Sequence, residues 1–443
     1  MFGVQRLTGC NLSLIRLCRK IPEKLGVDDN MLESQLEGLT LEQAISAKRL
    51  FYTDIEIMDN VKHRKGFEVC APIALFFLDK DKQLIPIAIQ LQQKKGPNNP
   101  VFLPTDPPGL WTLAKMWYNN ADAAIHQSLT HLAFTHLIME GVVLAIHRNI
   151  SLSHPIFKLL APHTLYLLAI NARGLQFLIS EGGWVDNTMN IGTTGMFDLI
   201  ARGVKTWSFN VQGTFPAELK ERGVDDPDVL PYYPFRDDAL LYYNIIKDYV
   251  FNYVKIYYDS PEKLASDWEI QNWAEELARP REEGGIGILG MPLKDGKGCF
   301  HNLDELTIVL ASIVYTCSVG HAASNFPQYE EYGFPAHYPA YMKGPVPTSK
   351  DILVTEEDIL KVLPDRQITL DVMTVTKILS SKGTNSLGDF EVQYIFDPRA
   401  IPVVNKFRND LKELDKIITE RNKKRNPTYT YLEPVYVPNS ISI

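Results

Sequence analysis

The sequence predicts a mainly α-helical fold, a helical bundle around one long central helix with a small antiparallel β-hairpin or sheet beside it. Between Trp111 and Arg148 there is no proline and only one glycine, and apolar residues occupy nearly all sides of the predicted helix. A helix that is apolar all round lies in the interior of a large protein. Residues 71–91 differ, because two β-rich apolar runs flank the polar turn at 79–82, a pattern typical of a hairpin.

Helical periodicity returns at several other places in the chain. Short helices are expected within 1–50, and longer ones over 154–181, 236–279, 303–325, 355–363, 368–382 and 400–422. The glycine-rich stretch 280–300 is predicted to be a surface loop, and the proline-containing tail from Tyr431 onward is not expected to be helical. Because no internal repeat or low-complexity linker interrupts the pattern, we expect one domain over residues 1–443.

Composition narrows the classes of function. The chain has 45 basic and 53 acidic residues and a net charge of -8, and it lacks the clustered basic residues of a nucleic-acid-binding surface. Its 5 cysteines are scattered without a CxxC pair, which argues against disulfides or a zinc site and favours a cytoplasmic location. The most apolar stretch, Leu129–Ile146, contains histidines and a glutamate, so no transmembrane segment is expected. Peripheral contact of the protein with a membrane is an alternative that the sequence leaves open.

Three evenly spaced histidines mark the predicted central helix. His126, His131 and His136 follow one another at intervals of five residues. On a regular α-helix, side chains five residues apart diverge by about 140°, whereas in a π-helical turn they lie nearly above one another. The spacing therefore predicts a π-bulge that presents metal ligands. The alternative is that all three are hydrogen-bonded core histidines.

A second apolar helix offers a candidate pair of ligands. His321 and Asn325 are four residues apart, so both lie on one face of the helix. Imidazole nitrogens combined with neutral oxygen ligands suit iron better than zinc. The alternative here is a buried histidine that is merely hydrogen-bonded by a nearby asparagine.

Residues 110–171 are similar over their whole length to the iron-binding signature of lipoxygenases, with His-x4-His-x4-His followed by HPIFKLLAPH. The segments LPDR and ERNKKR and the ending PNSISI extend the resemblance from Phe2 to Ile443. The chain thus resembles animal arachidonate lipoxygenases of the 5-lipoxygenase and coral R-lipoxygenase kind. The resemblance implies a lipoxygenase catalytic-domain bundle. Since Met1 aligns inside that domain, the N-terminal β-sandwich and the first catalytic-domain helices are expected to be lacking.

The resemblance also implies a cofactor, one non-haem iron that alternates between Fe2+ and Fe3+. His126 is expected to lie beside the iron without binding it, and Gln127 and Gln328 to orient its ligands. The implied ligands are His131, His136, His321, Asn325 and the terminal carboxylate of Ile443.

The activity implied by the resemblance is insertion of O2 into a polyunsaturated fatty acid, with arachidonate as the expected substrate and a hydroperoxide as product. Leu132 and Leu178, with Ile179, match positions that shield the iron and shape oxygen access. Gly174 matches a position that is usually glycine in R-specific enzymes and alanine in S-specific ones, so an R-configured product is expected.

Other matched positions concern the shape of the pocket. Ala123, Thr188 and Met189 correspond to residues that set pocket depth in relatives, and Arg173 could pair with the substrate carboxylate at the pocket mouth. Plain core packing and a solvated surface charge are the respective alternatives. Two other functions stay open, a hydroperoxide isomerase on the same scaffold and an inactive truncated form that binds lipid or a partner.

Overall fold

The structure, a computed structural model, describes residues 1–443 and is mainly helical, as the sequence predicts. The helices of the first half are α1 Phe2–Thr8, α2 Asp29–Leu32, α3 Leu41–Ser46, α4 Pro108–Ile125, α5 Ile138–Asn149, α6 Pro155–Leu160, α7 Leu167–Phe177, α8 Trp184–Thr188, α9 Gly192–Gly203 and α10 Phe215–Arg222. Those of the second half are α11 Pro234–Val254, α12 Pro261–Ser266, α13 Trp268–Ala278, α14 Leu303–Tyr315, α15 His321–Asn325, α16 Gln328–Tyr332, α17 Glu356–Val362, α18 Arg366–Leu379 and α19 Ile401–Asn422.

Two helical stretches form the centre of the molecule, and each contains a π-helical segment. The first π segment, His126–Leu137, joins α4 to α5. The combined helix therefore runs unbroken over Pro108–Asn149. The second π segment, Thr316–Gly320, joins α14 to α15. The helices predicted over 111–148 and 303–325 are therefore confirmed.

Two of the predicted helices are interrupted by turns. The stretch 154–181 divides into α6 and α7, because Pro162 lies in a short 3-10 turn and Tyr166 has a φ of +69°. The stretch 236–279 divides into α11, α12 and α13, with Pro261 starting α12. Proline cannot donate the backbone hydrogen bond that continues a helix. Apolar spacing persists across such turns, which is why periodicity alone did not reveal them.

The predicted small antiparallel β-structure is a five-stranded sheet that contains the expected hairpin. The strands are β1 Arg16–Leu17, β2 Leu50–Asp54, β3 Ile73–Leu78, β4 Leu84–Gln90 and β5 Val101–Phe102, and they form an antiparallel sheet in that order. The expected hairpin is β3–β4, with a register shift between Leu75 and Phe76. Strands β1 and β5 are two residues long, too short to show alternation. The loop predicted over 280–300 contains a small hairpin, β6 Leu293–Lys294 with β7 Lys297–Gly298.

The sheet separates two buried clusters, and β3 contributes to both. Ala74 and Phe76 pack into the large core that holds the central helices. Leu75 and Phe77 face a smaller cluster on the other side. This alternation follows from the two-residue period of a strand. All six residues of β3 are buried as a result, so the strand appears in the sequence as one continuous apolar run.

Two helical stretches, Pro108–Asn149 and Leu303–Tyr332, are long and apolar enough to cross a bilayer by length and composition. The sequence predicts no transmembrane segment, and this stays a prediction. Inside the structure 61% and 83% of their most apolar windows are buried. Core helices of large proteins have this character.

Candidate metal centre

Three histidines from the two central helices converge at one point. The Nε2 atom of His321 lies 3.3 Å from Nε2 of His131 and 3.1 Å from Nε2 of His136. One potential ligand atom from each residue lies within 4.8 Å of the others, and all three side chains are buried. The structure therefore brings together the three histidines that the sequence singled out as metal ligands.

The π segments produce this convergence. His131 and His136 are five residues apart within the first π segment, and their ring centroids are only 4.9 Å apart. The predicted π-bulge is confirmed, and it extends over twelve residues. The second π segment ends directly before His321. It was not predicted, because Thr316–Gly320 contains no pair of polar residues at a spacing that would reveal it.

The protonation of the three imidazoles suits metal binding. Burial lowers the pKa of His131 and His321 well below the usual value for histidine, and burial lowers that of His136 to about 4. The rings are therefore neutral at neutral pH. Nδ1 of His136 lies 2.8 Å from Oδ1 of Asn171 and must donate to it, which leaves Nε2 of His136 unprotonated. The Nε2 lone pair of His136 thus points into the cluster.

A metal ion fits this arrangement of donors. Nε2 atoms that approach one another at 3.1 and 3.3 Å cannot all be satisfied by sharing protons among themselves. Nδ1 of His321 is also buried without a hydrogen-bond partner, and buried polar groups normally have one. A divalent transition metal accepts several neutral imidazole ligands at once. We therefore regard His131, His136 and His321 as a candidate metal centre.

His126 lies next to the cluster but has no free nitrogen. Its Nε2 donates to the carbonyl oxygen of Ser324 at 2.7 Å, and its Nδ1 lies 2.8 Å from the hydroxyl of Tyr332. With one nitrogen donating and the other accepting, no lone pair remains for a metal. This geometry agrees with the expectation that His126 supports the site without binding the iron.

Asn325 is buried one helical turn after His321, within a series of amide hydrogen bonds. Its Oδ1 accepts from Nε2 of Gln328 at 2.6 Å, and its Nδ2 donates to the carbonyl oxygen of Leu379. Gln328 in turn accepts from Nε2 of Gln127 at 2.7 Å. The two glutamines thus hold the Asn325 amide, as expected of residues that orient ligands. Oδ1 of Asn325 retains a second lone pair, and its role as a ligand stays a prediction.

The C-terminal tail is held inside the molecule. Nδ1 of His163 lies 3.0 Å from the carbonyl oxygen of Asn439, and Oγ of Ser440 donates to the carbonyl oxygen of Leu165 at 2.6 Å. The tail leads Ile443 to the cavity that His131 and His136 also line. The predicted role of its carboxylate as a ligand is compatible with that position.

An apolar cavity with about 620 Å³ of empty space, its open mouth included, adjoins the histidines, and we call it the substrate cavity after the role expected from the sequence. Four residues that the sequence assigned to oxygen access and stereochemistry line it, namely Leu132, Gly174, Leu178 and Ile179. The other expected pocket residues do not line it. Ala123, Thr188 and Met189 are buried elsewhere in the core, and Arg173 is exposed on α7. The remaining walls include Ile170, Leu175, Trp184, Val185, Met196 and Leu379, which sequence reasoning did not identify.

Asn171 is a functional residue that the sequence analysis missed. Besides its contact with His136 Nδ1, it donates from Nδ2 to the carbonyl oxygen of His136 at 3.1 Å and to Oε2 of Glu140 at 2.6 Å. Asn171 therefore fixes both the ring and the backbone of a candidate ligand. The available signal was a polar residue within the apolar helix α7.

Replacing Asn171 with alanine is expected to weaken metal binding by about 10- to 100-fold, because the tautomer and orientation of the His136 ring would no longer be fixed. Metal affinity is measured by competition with a chelator. Asn187→Ala serves as the control, since Asn187 is exposed and bonds only to the carbonyl of Gly182. Equal metal affinity in the two variants would show that Asn171 does not position His136.

The fold and site define a class, that of mainly helical proteins with a candidate metal centre of three buried imidazoles beside an apolar cavity. Comparison with known proteins identifies the family to which the chain belongs. The family model described as Lipoxygenase matches residues 15–434. The chain belongs to the lipoxygenase family, and the resemblance inferred from the sequence is confirmed.

Individual relatives agree with this assignment. Arachidonate 12-lipoxygenase, 12R-type, of Rattus norvegicus is 34% identical over 453 residues, covering 100% of this chain and 62% of that protein. Polyunsaturated fatty acid lipoxygenase ALOX15B of Homo sapiens is 34% identical over 450 residues, covering 100% of this chain and 65% of that protein. The solved structure of a calcium-dependent 11R-lipoxygenase matches with a TM-score of 0.93 and 35% identity, covering 100% of this chain and 65% of that one. The chain thus spans less than two thirds of each of these proteins.

Proposed function

We propose that this protein is a non-haem iron dioxygenase that inserts O2 into a polyunsaturated fatty acid, with arachidonate as substrate and an R-configured hydroperoxide as product. The observation that carries the proposal is the convergence of three buried imidazoles at an apolar cavity. Membership of the lipoxygenase family supports the reaction class. Relatives of both types match the chain, a 12R-type and an 11R-lipoxygenase as well as a (12S)/(13S)-lipoxygenase, so the proposed configuration depends on Gly174.

The proposed ligands of the iron are His131, His136, His321, Asn325 and the Ile443 carboxylate. When bound, iron supplies the one-electron redox chemistry that oxidises a bis-allylic C–H group of the fatty acid. The protein provides neutral nitrogen donors, which burial keeps unprotonated. It also provides a carboxylate, which balances part of the positive charge.

The substrate cavity orients the fatty acid by its shape. No Asp, Glu, Lys or Arg side chain lines it, so burying the charged carboxylate there would be unfavourable. The apolar chain enters the cavity while the carboxylate stays near the mouth. Leu132 and Leu178 exclude water from the reacting carbons, and Gly174 leaves open space on one side for O2.

The surface on and beside helix α7, which forms part of the cavity wall, carries exposed apolar side chains. Leu175 lines the cavity and is 45% exposed, and Phe177, on the same helix α7, is 60% exposed. Tyr166 and Leu168, at the start of the same helix, are exposed as well. Exposed apolar groups of this kind mark surfaces that contact lipid or another apolar partner. This surface agrees with delivery of a fatty-acid chain to the cavity.

The proposal is tested by expressing residues 1–443, quantifying bound iron, and measuring O2 uptake with arachidonate, followed by chiral chromatography of the products. We expect stoichiometric iron, O2 consumption and an R-hydroperoxide. Conversion of an added hydroperoxide without O2 uptake would instead support an isomerase. Iron-loaded protein that performs neither reaction would contradict the proposed activity.

Extending the C-terminus by one glycine after Ile443 is expected to weaken iron binding by about tenfold or more, because the carboxylate would be displaced from the ligand position. Iron affinity is measured by chelator competition. Ile443→Val is the matched control, since it keeps the carboxylate in place and removes a single methylene group. An extended protein with the iron affinity of the parent would rule out the terminal carboxylate as a ligand.

A further inference from the structure

A second cavity lies against the same two helices that carry the histidines. Its volume is about 1500 Å³ including its open mouth, and it shares no lining residue with the substrate cavity. Along the first π segment the residues alternate between the cavities. His131, Leu132, His136 and Leu137 line the substrate cavity, and Leu129, Thr130, Phe134 and Thr135 line the second cavity. The two cavities therefore lie on different faces of one helix.

The second cavity runs from an exposed rim to a buried floor. Ser13, Thr206 and Gln212 are exposed at the rim. The floor includes Ala323 and Ser324, which lie two and three residues after His321 and are buried. A molecule that entered from solvent would thus reach the backs of both metal-bearing helices.

Two hydroxyl groups on these walls hold the backbone of candidate metal ligands. Oγ1 of Thr135 donates to the carbonyl oxygen of His131. Oγ of Ser324 donates to the carbonyl oxygen of His321 at 3.1 Å. Any ligand that contacts these hydroxyls can change the hydrogen bonding of the helical turns from which the imidazoles project. The second cavity is therefore physically connected to the metal centre.

The charged side chains that line the second cavity form ion pairs with one another. At the rim, Arg16 forms two hydrogen bonds to Glu221, at 3.1 and 3.0 Å. Deeper inside, Arg222 is paired with Glu218 through two further hydrogen bonds. A carboxylate ligand would have to displace a glutamate from its arginine, leaving that glutamate unpaired. An uncharged ligand meets no such cost.

The other walls are aromatic, aliphatic or hydroxyl-bearing. Phe134 stacks on Trp207 with ring centroids 6.2 Å apart, and Phe215 stacks on Tyr315 at 5.0 Å. Sites with mostly apolar walls and a few polar groups bind small molecules with an apolar body and a polar head. The threonine and serine hydroxyls offer oxygen lone pairs to such a head group.

We propose that the second cavity binds an uncharged amphiphile, such as a long-chain alcohol or amide, and that its occupancy changes the metal affinity of the histidine cluster. The effect is reciprocal by thermodynamic linkage. If the amphiphile alters the affinity for iron by some factor, iron alters the affinity for the amphiphile by the same factor. This inference does not depend on the reaction that the metal centre performs.

The binding site is tested by calorimetric titration of the iron-loaded protein with 1-decanol and with decanoate. We expect 1-decanol to bind more tightly by about tenfold or more, because only decanoate carries a charge into the cavity. Thr206→Trp and Ser13→Trp narrow the rim from two different segments and should each reduce decanol binding. Thr206→Ser is the matched control and should bind as the parent does.

The substrate cavity also accepts an alkyl chain, and Leu178→Trp fills part of that cavity, so this variant should keep the decanol binding that the rim variants reduce. If decanol binding is lost in Leu178→Trp but kept in both rim variants, the alcohol occupies the substrate cavity and the proposal is wrong. Absence of decanol binding, or equal affinity for decanoate, would also overturn it. Because Ser13 and Thr206 are exposed, both rim variants are expected to fold.

The coupling is tested by measuring the affinity of the metal-free protein for Fe2+ with and without saturating 1-decanol. We expect a difference of about threefold or more. Thr135→Val removes the hydroxyl that bonds to His131 while keeping the shape of the side chain. With decanol raised to saturate this variant, the difference in Fe2+ affinity should be smaller than in the parent protein. Equal Fe2+ affinity in the presence and absence of decanol would overturn the coupling.

Discussion

Replacing His321 with alanine is expected to leave the protein folded but nearly free of iron and without detectable hydroperoxide formation. Its Nε2 is the atom that lies closest to both other donors, at 3.1 and 3.3 Å. Without it, His131 and His136 remain as a pair of nitrogens from one helix. Two imidazoles hold a divalent metal far more weakly than three, and no neighbouring carboxylate side chain joins the cluster.

Iron per chain is measured by mass spectrometry of the purified protein, and folding is followed by near-ultraviolet circular dichroism. His131→Ala and His136→Ala are expected to lose iron in the same way. If the His321 variant retained the iron content and turnover of the parent protein, the three-histidine centre would have to be abandoned.

His126→Ala is the matched control, because it removes a buried imidazole from the helix of His131 and His136 without removing a proposed ligand. It should retain at least part of the iron. It should also lower the free energy of unfolding by about 2–4 kcal/mol, since the partners Ser324 and Tyr332 would each lose a buried hydrogen bond. If His126→Ala lost as much iron as the other three variants, His126 would be needed for iron binding as much as the three proposed histidine ligands are.

The metal ligands could be predicted from the sequence where they lie close together along one helix. Five-residue spacing has a clear physical meaning only in a π-helix, so His131 and His136 predicted both the metal ligands and the irregular helix. The second π segment precedes a single histidine ligand, His321. A five-residue spacing needs two histidines on one helix, and this helix has only one. The sequence therefore did not predict the π-helical segment Thr316–Gly320.

The features that the sequence did not reveal depend on long-range contacts. Asn171 reaches His136 across 35 positions of the chain, and only the packing of α7 against the central helix brings them together. The same is true of Leu379, which meets the substrate cavity from α18. Short strands such as Arg16–Leu17 exist because β2 lies beside them. Local propensity cannot specify such pairings, since tertiary contacts stabilise them.

Gly174 is the residue of the substrate cavity where a small change is expected to have the largest effect on the product. It lies within α7 and lines the cavity together with Leu178. A Cβ atom added at this position would meet no atom within 4 Å. Alanine therefore fits without strain, and the new methyl group would occupy space that is open in the parent protein. In a helix, glycine is also less stable than alanine by about 1 kcal/mol, so the substitution should not destabilise the fold.

We expect the parent protein to form mainly the R-hydroperoxide, and Gly174→Ala to shift oxygenation toward an S product at a different carbon. The methyl group blocks O2 from one end of the pentadienyl radical and leaves the other end accessible. A change in the R:S ratio of about 100-fold corresponds to roughly 2.7 kcal/mol between the two transition states, which is within the range of a steric clash in a closed cavity. Chiral chromatography of the products from arachidonate measures the ratio.

Ala172→Gly provides the control for this substitution, because it changes helix propensity in α7 at an exposed position outside the cavity. It should lower the melting temperature slightly and leave the product configuration as in the parent protein. Gly174→Ala should do the opposite, with equal or higher stability and an altered product. An S product from the parent protein, or an unchanged R:S ratio in Gly174→Ala, would mean that the open space beside Gly174 does not direct O2. Because stability and product are expected to move independently in the two variants, a general disturbance of α7 cannot account for the predicted pattern.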